Sequence, residues 1–254
     1  MRRTFRRRGE LAIALVTLVA LAGEGCVARP STRGSPSPIA APRSLPNDIR
    51  WFRTSAEFRA LTRQTYQLAA DRLPELTRAL APQTWAVILD ADETVLDNSE
   101  YQRRRALDDS AYTEASWSAW VNEQSATAIP GSPEFTHRVH ALGGRVVIVT
   151  NRAMTICDAT RANLKTIHVE ADLVLCQEQG ESDKNPRFQR VQDGTAAPGF
   201  AALTVVEWIG DNILDFPGMT QEARNNPVAF SEFGKRYFIL PNPMYGSWQQ
   251  IREP

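Results

Sequence analysis

Four acids stand within eight positions of the stretch VILDADETVLDNSEY: Asp90, Asp92, Glu93 and Asp97. Like charges placed directly after a run of branched aliphatics repel one another and lose hydration. A cation or a chemical task has to offset that cost. More chemistry-bearing residues follow at three later places. Thr150-Asn151-Arg152 presents a hydroxyl with an amide, and Ser182-Asp183-Lys184-Asn185 presents an ammonium. Gly210-Asp211-Asn212, with Asp215 one helical turn on, presents further carboxylates. Such a set can hold a hard divalent cation and assist the transfer of an anionic group. An isolated DxD pair would say little, because acidic pairs are common in solvated loops.

Something must carry these groups to one place. Residues 51–73 have helical spacing (Phe52, Phe58, Leu61, Tyr66, Leu68), which predicts one or two leading helices. Pro82 breaks that pattern, and WAVILD follows as a continuous apolar run suited to a central parallel strand covered on both faces. Further strands are predicted at 145–150 (RVVIVT), 172–176 (DLVLC) and 203–209 (LTVVEWI), with a shorter one at 237–240 (YFIL). Ser132 reads as the cap of a helix with Pro133 in first position and Gly143-Gly144 at its end. Another helix is predicted at about 155–167. Strands alternating with helices imply an α/β fold with a parallel sheet, which binds ligands beyond its carboxyl ends. The four chemical groups all lie at or past such ends, so one rim should gather them.

In this order, DxDxT, Thr-Asn, Lys and GDNxxxD resemble motifs one to four of the haloacid dehalogenase (HAD) superfamily of phosphohydrolases. Within it, LDADETVLDNSEYQ, WVNEQSATAIPGSPEF, VTNR, DKNPRF, GDNILDF and LPNPMYGSW are similar to the class C acid phosphatases of subfamily IIIB. Several bacterial members of that group are lipoproteins, and some act on 5'-nucleotides. The resemblance runs from about residue 49 to 248. It implies an HAD-like Rossmannoid three-layer sandwich with a central parallel sheet and a small, mainly helical cap at about 100–130.

The resemblance also implies roles. Asp90 is the nucleophile, and a carboxylate there splits a very slow hydrolysis into two steps through an acyl phosphate. Asp92 protonates the leaving oxygen and later activates water, so the chain is expected to bend immediately after Asp90. A Mg²⁺ ion would be held by Asp90, the Asp92 carbonyl and Asp211, with Asp215 in support. Thr150 would hydrogen-bond a phosphate oxygen with Asn151 nearby, and Lys184 would neutralise charge on the transferring group. Glu93 and Thr94 are read as shaping the turn. Tyr101, Tyr112, Trp117 and Trp120 fall in the cap segment, and Tyr245 in the tail. Each either packs the cap or stacks on a flat ring of the substrate.

Composition narrows the setting. The 29 basic and 29 acidic side chains cancel, so no global field points to a nucleic acid polymer. MRRTFRRR places five arginines ahead of an apolar stretch at 11–22, the form of an export signal over residues 1–28. The stretch falls short of the ~20 apolar residues a membrane span needs. Cys26 is a candidate lipid-anchor site, although Gly23-Glu24-Gly25 departs from the usual lipobox, and cleavage after Ala28 is the soluble alternative. Arg2-Arg3-Thr4-Phe5 also resembles a twin-arginine signal. A Pro/Ser-rich linker is read at 29–47 and the phosphatase domain at 48–254. Cys157 and Cys176 suit either a disulfide or two buried thiols, and spacing does not decide between them. His137, His140 and His168 are not spaced as a metal set.

The expected function is therefore an exported, Mg²⁺-dependent acid phosphatase in the periplasm, or a lipoprotein of the outer membrane. It would hydrolyse small phosphate monoesters, 5'-nucleotides among them, through an aspartyl phosphate, with a homodimer the commonest assembly for such a domain. A phosphatase for one small metabolite is the near alternative. A non-catalytic binding or adhesive lipoprotein on the same fold is the distant one, and the complete motif set argues against it. The chain has no RHG motif and no GxSxG elbow, which excludes histidine phosphatases and serine hydrolases of that type.

Overall fold

The computed structural model describes residues 44–252. The expected export signal, Cys26 and all but the end of the expected linker lie outside the described residues. The chain enters through α1 (Asn47–Thr54) and α2 (Ala56–Leu76). Their break falls at Ser55, whose side chain accepts the Phe58 N–H at 3.1 Å and so caps α2.

Strand β1 (Trp85–Leu89) is buried along its whole length. Its alternate residues serve different faces. Val87 and Leu89 join one core cluster with Phe58, Tyr66 and Leu73 of α2, and Ala86 and Ile88 join another with Phe188 and Val191. Two covered faces explain why WAVIL shows no polar alternation. With β4 (Arg145–Ala153), β5 (Leu173–Gln177), β6 (Thr204–Gly210) and β7 (Tyr237–Ile239) it forms a parallel sheet in the order β5-β4-β1-β6-β7. The chain winds to opposite sides of β1, which leaves a crevice beyond its carboxyl end. The α/β class, the parallel sheet and the helical layers agree with the sequence.

Between β1 and β4 lies the cap. It consists of β2 (Leu96–Asp97) paired antiparallel with β3 (Thr127–Ala128), with α3 (Ser99–Asp108) and α4 (Glu114–Glu123) between them. Helix α5 (Ser132–Ala141) then returns to the sheet, α6 (Cys157–Thr166) links β4 to β5, and α7 (Asn185–Asp193) precedes β6. No described helix is long and apolar enough to cross a membrane.

Two local expectations change and one open alternative is resolved. Ser132 does not cap α5; Gly131 does so at φ 100°, while the Ser132 hydroxyl donates to the Ile129 carbonyl at 2.9 Å. Strand β4 extends to Ala153, beyond the predicted 150, because Ala153 pairs with Gln177 after an irregularity in the ladder. The two cysteines form a disulfide, Cys157–Cys176, which ties the start of α6 to β5.

Candidate active site

Strand β1 ends at Leu89, and the Asp90 N–H still bonds the Ile209 carbonyl at 3.0 Å, so the sheet fixes the first acid. The chain then bends, as expected. The Ala91 carbonyl accepts N–H groups from Val95 and Leu96 at 3.0 and 2.9 Å, closing a tight loop. Glu93, fully buried at φ 52°, braces it by accepting the Asn98 N–H at 2.9 Å. The Thr94 carbonyl accepts the Tyr66 hydroxyl at 2.7 Å. Both residues thus shape the turn, in keeping with the sequence reading.

Lys184, which immediately precedes α7, joins the remaining acids. Its Nζ donates to Asp90 Oδ1 and to Asp215 Oδ1, each at 2.6 Å. Asp215 is locked by local chemistry. Its Oδ2 accepts the Asn212 N–H at 2.9 Å, while Asn212 Oδ1 accepts the Leu214 N–H at 3.1 Å, a reciprocal cap around Ile213–Asp215. A Cβ on Gly210 would lie 2.3 Å from Asp215 Cβ, so glycine alone lets that side chain fold back. Asp211 accepts the Asn242 amide at 2.8 Å and the Thr94 hydroxyl at 3.3 Å.

Ligand atoms of Asp90, Asp211 and Asp215 lie within 4.8 Å of one another. Three carboxylates around one ammonium leave an excess of two negative charges in a buried place. Burial, then repulsion by Asp215 and Asp92, pushes Asp90 up to about 7, although Lys184 pulls the other way. Asp211 rises well above the usual carboxylate range by burial and by repulsion from Asp215 and Asp90. Burial pulls the Lys184 ammonium down, but Asp215 and Asp90 outweigh it and hold it above the usual lysine range. An all-oxygen donor set with two uncompensated charges fits a hard divalent cation. Both Asp215 oxygens accept short hydrogen bonds, at 2.6 and 2.9 Å. Asp90 Oδ2 accepts none from a described residue, and Asp211 Oδ1 accepts only the Thr94 hydroxyl at 3.3 Å, so Asp90 and Asp211 are the better direct ligands.

Asp92 faces the same cleft from the far side of the bend. Its Oδ1 accepts Arg152 Nε at 2.9 Å, Arg152 Nη2 at 2.7 Å and Asn98 Nδ2 at 2.8 Å. Arg152 is 2% exposed, and its guanidinium lies over the Trp117 ring at 5.3 Å. Asn151 donates to the Ser182 carbonyl at 3.0 Å and accepts from Arg187, which also donates to the Thr150 carbonyl. Arg187 thereby binds the end of β4 to the segment carrying Lys184.

The cleft measures about 1080 Å³. Asp90, Asp92, Asn151, Lys184, Asp211 and Asp215 all line it, so distant sequence positions meet as the motif order implied. Thr150 is fully buried behind the lining, where its hydroxyl accepts the Arg152 N–H at 3.1 Å. Tyr101, Tyr112, Trp117 and Tyr245 line the cleft too. Trp120 does not: it is buried at 3% exposure, and its Nε1 donates to Asn98 Oδ1 at 2.9 Å. Its place is structural because α4 turns that face toward the body. Arg152, Asn98, Arg187 and Asn242 carry site contacts that sequence reasoning left without a role. No local signal links Arg152 to an aspartate 60 positions earlier.

Comparison with known proteins follows this geometry. The family model for HAD superfamily, subfamily IIIB (acid phosphatase) matches residues 38–248. The class C acid phosphatase from Bacillus anthracis superposes with a TM-score of 0.70 at 31% identity, covering 80% of this chain and 85% of that one. A structure of the class C acid phosphatase from the same organism with tungstate bound matches at 30% identity and the same TM-score, 0.70. Among curated proteins, the stem 28 kDa glycoprotein of Glycine max is 25% identical over 162 residues. The stem 31 kDa glycoprotein of the same plant is 26% identical over 161 residues. These matches span 62% of this chain and 58% of the length of each glycoprotein.

Proposed function

The chain belongs to the acid phosphatases of HAD superfamily subfamily IIIB, and on that premise we propose that it hydrolyses small phosphate monoesters through an aspartyl phosphate with Mg²⁺ as cofactor. The observation that carries this is Lys184, held at 2.6 Å from both Asp90 and Asp215 on the rim that also presents Asp211 and Asp92.

Asp90 attacks phosphorus as the bond to the leaving oxygen breaks, and Asp92 supplies a proton to that oxygen. Asp92 then takes a proton from water, which attacks the acyl phosphate and frees Asp90. Lys184 neutralises charge on the nucleophile and on the phosphoryl oxygens, from a fixed position that needs no rearrangement. Asn151, held by Arg187 and Ser182, is poised to contact a phosphate oxygen. Thr150 sits behind it and supports the strand end. Asp90 and Asp211 would hold Mg²⁺, which screens the approach of an anionic nucleophile to an anionic ester.

Nucleotide substrates are favoured by a separate observation. Tyr101, Tyr112, Trp117 and Tyr245 line the cleft that holds the acids, and aromatic faces stack on bases. Export is supported by the arginine-rich, then apolar, start of the sequence and by the disulfide, a bond of oxidising compartments. Attachment through Cys26 would make the protein a lipoprotein.

The test compares phosphate release from 4-nitrophenyl phosphate, glycerol phosphate and 5'-nucleotides, with and without Mg²⁺, alongside Asp90→Asn. Metal-dependent release that the substitution abolishes is expected, with inhibition by tungstate as an oxyanion mimic. Folded protein that releases no phosphate under any metal, or an Asp90→Asn variant as active as the original, would overturn the reading.

A further inference from the structure

We propose that Arg152 and Asn98 are positioning residues that decide which oxygen of Asp92 carries the transferred proton. The inference rests on the phosphatase reading above and extends it. Three N–H groups converge on one atom, Asp92 Oδ1: Arg152 Nε at 2.9 Å, Arg152 Nη2 at 2.7 Å and Asn98 Nδ2 at 2.8 Å. A carboxylate oxygen offers two lone pairs, so an atom already accepting three donors has no room for a proton. The other oxygen, Oδ2, accepts no hydrogen bond from a described residue, and Asp92 lines the cleft. The proton therefore travels on Oδ2.

The holders are themselves held. Arg152 Nη1 donates to the Thr160 hydroxyl at 3.2 Å and Nη2 to Asn98 Oδ1 at 3.0 Å, while the guanidinium stacks over Trp117. Asn98 Oδ1 also accepts Trp120 Nε1 at 2.9 Å. Two donors on that oxygen fix the amide's orientation, because the flipped form would place an NH₂ against both. Its Nδ2 must then face Asp92. Body strand β4, cap helix α4 and the junction of β2 with α3 thus agree on one carboxylate rotamer. In the forward step the Oδ2 proton passes to the leaving oxygen as the P–O bond to it breaks and the Asp90–phosphorus bond forms. In the second step Oδ2 receives the proton of the water that attacks phosphorus, and the Asp90–phosphorus bond breaks.

A misaligned acid hurts substrates in proportion to their need for protonation. Arg152→Lys keeps the charge but cannot place two donors on Oδ1 while reaching Asn98. With Mg²⁺ present and at one fixed pH, kcat for glycerol phosphate should fall about 10²-fold, the low end of what a general acid contributes. For 4-nitrophenyl phosphate, whose leaving group needs little protonation, the fall should stay below about tenfold, again judged against the general-acid contribution. KM should be unchanged for both. In an Asp92→Asn background, Arg152→Lys should cause no further loss, since it acts through Asp92. Trp120→Phe, which removes the N–H to Asn98 together with part of the buried indole, should give the same pattern more weakly and serves if Arg152→Lys does not fold. Equal losses on both substrates, a rise in KM with kcat intact, or additive losses in the double variant would each overturn the proposal. Those results would leave the phosphatase reading standing. A wild-type protein that releases phosphate from neither substrate would overturn both.

Discussion

Each polar residue in this site is fixed by something specific. Asp215 can serve Lys184 only because Gly210 has no Cβ and Asn212 returns a hydrogen bond. The same residue-level reasoning isolates an acid outside the site. Glu207, on β6, is fully buried, and neither of its carboxylate oxygens has a hydrogen-bond partner among the described residues. Burial pushes it up to about 9, with Arg72 and Arg236 only partly opposing. The native state therefore binds a proton that the unfolded chain releases near its ordinary carboxylate value. The sign follows: the contribution is full below about pH 4.5 and is lost as pH rises toward about 9. Glu207→Gln should remove a slope of up to about 1.4 kcal/mol per pH unit across that window. Urea unfolding of both proteins at several pH values reads it directly. Parallel pH dependences would show that Glu207 is not held protonated.

Elements, rather than single residues, bring the four motifs together. Helix α7 places Lys184 at its start and Arg187 in its first turn, and Arg187 reaches back to the Thr150 carbonyl at the end of β4. The disulfide adds a covalent tie between α6, which follows β4, and β5, which leads toward Lys184. It joins residues 19 apart, and closing a loop of that length restricts the unfolded chain by about 3 kcal/mol. The Cys157→Ala/Cys176→Ala double variant should lose about that much stability by urea unfolding. An unchanged midpoint would mean that packing of α6 against the sheet suffices without the bond. Sequence placed both cysteines in or beside regular elements but could not bring their Cα atoms to the 6.0 Å that the fold supplies.

At the scale of the whole molecule, a chain with balanced charge concentrates an excess of two negative charges at one buried rim. On the proposed Mg²⁺ reading, that concentration should make stability depend on the ion. Mg²⁺ at a hundred times its Kd should stabilise the folded protein by about 2.7 kcal/mol, and a chelator should reverse the gain. Thermal unfolding with and without Mg²⁺ is the measurement. A Tm indifferent to every divalent cation would mean that the acids are neutralised by protons instead of a metal. The cap contributes to the same whole, since Tyr101 of α3, Trp117 of α4 and Tyr112 between them line the cleft that holds the acids.

The sequence by itself determined the parallel α/β sheet and the gathering of the motifs at its carboxyl rim, although Thr150-Asn151-Arg152 lies within the last residues of β4 and not after them. The sheet follows from local rules of apolar runs and helix breakers, while the bend after Asp90 is implied by the family resemblance. Only the tertiary structure decided that Trp120 braces Asn98 while Trp117 faces the cleft, that Gly131 and not Ser132 opens α5, and that Cys157 meets Cys176. It alone brought Arg152 onto Asp92 Oδ1. The reason is physical: a side chain's partner across a fold is set by packing and helix rotation, which neighbouring residues in the chain do not encode.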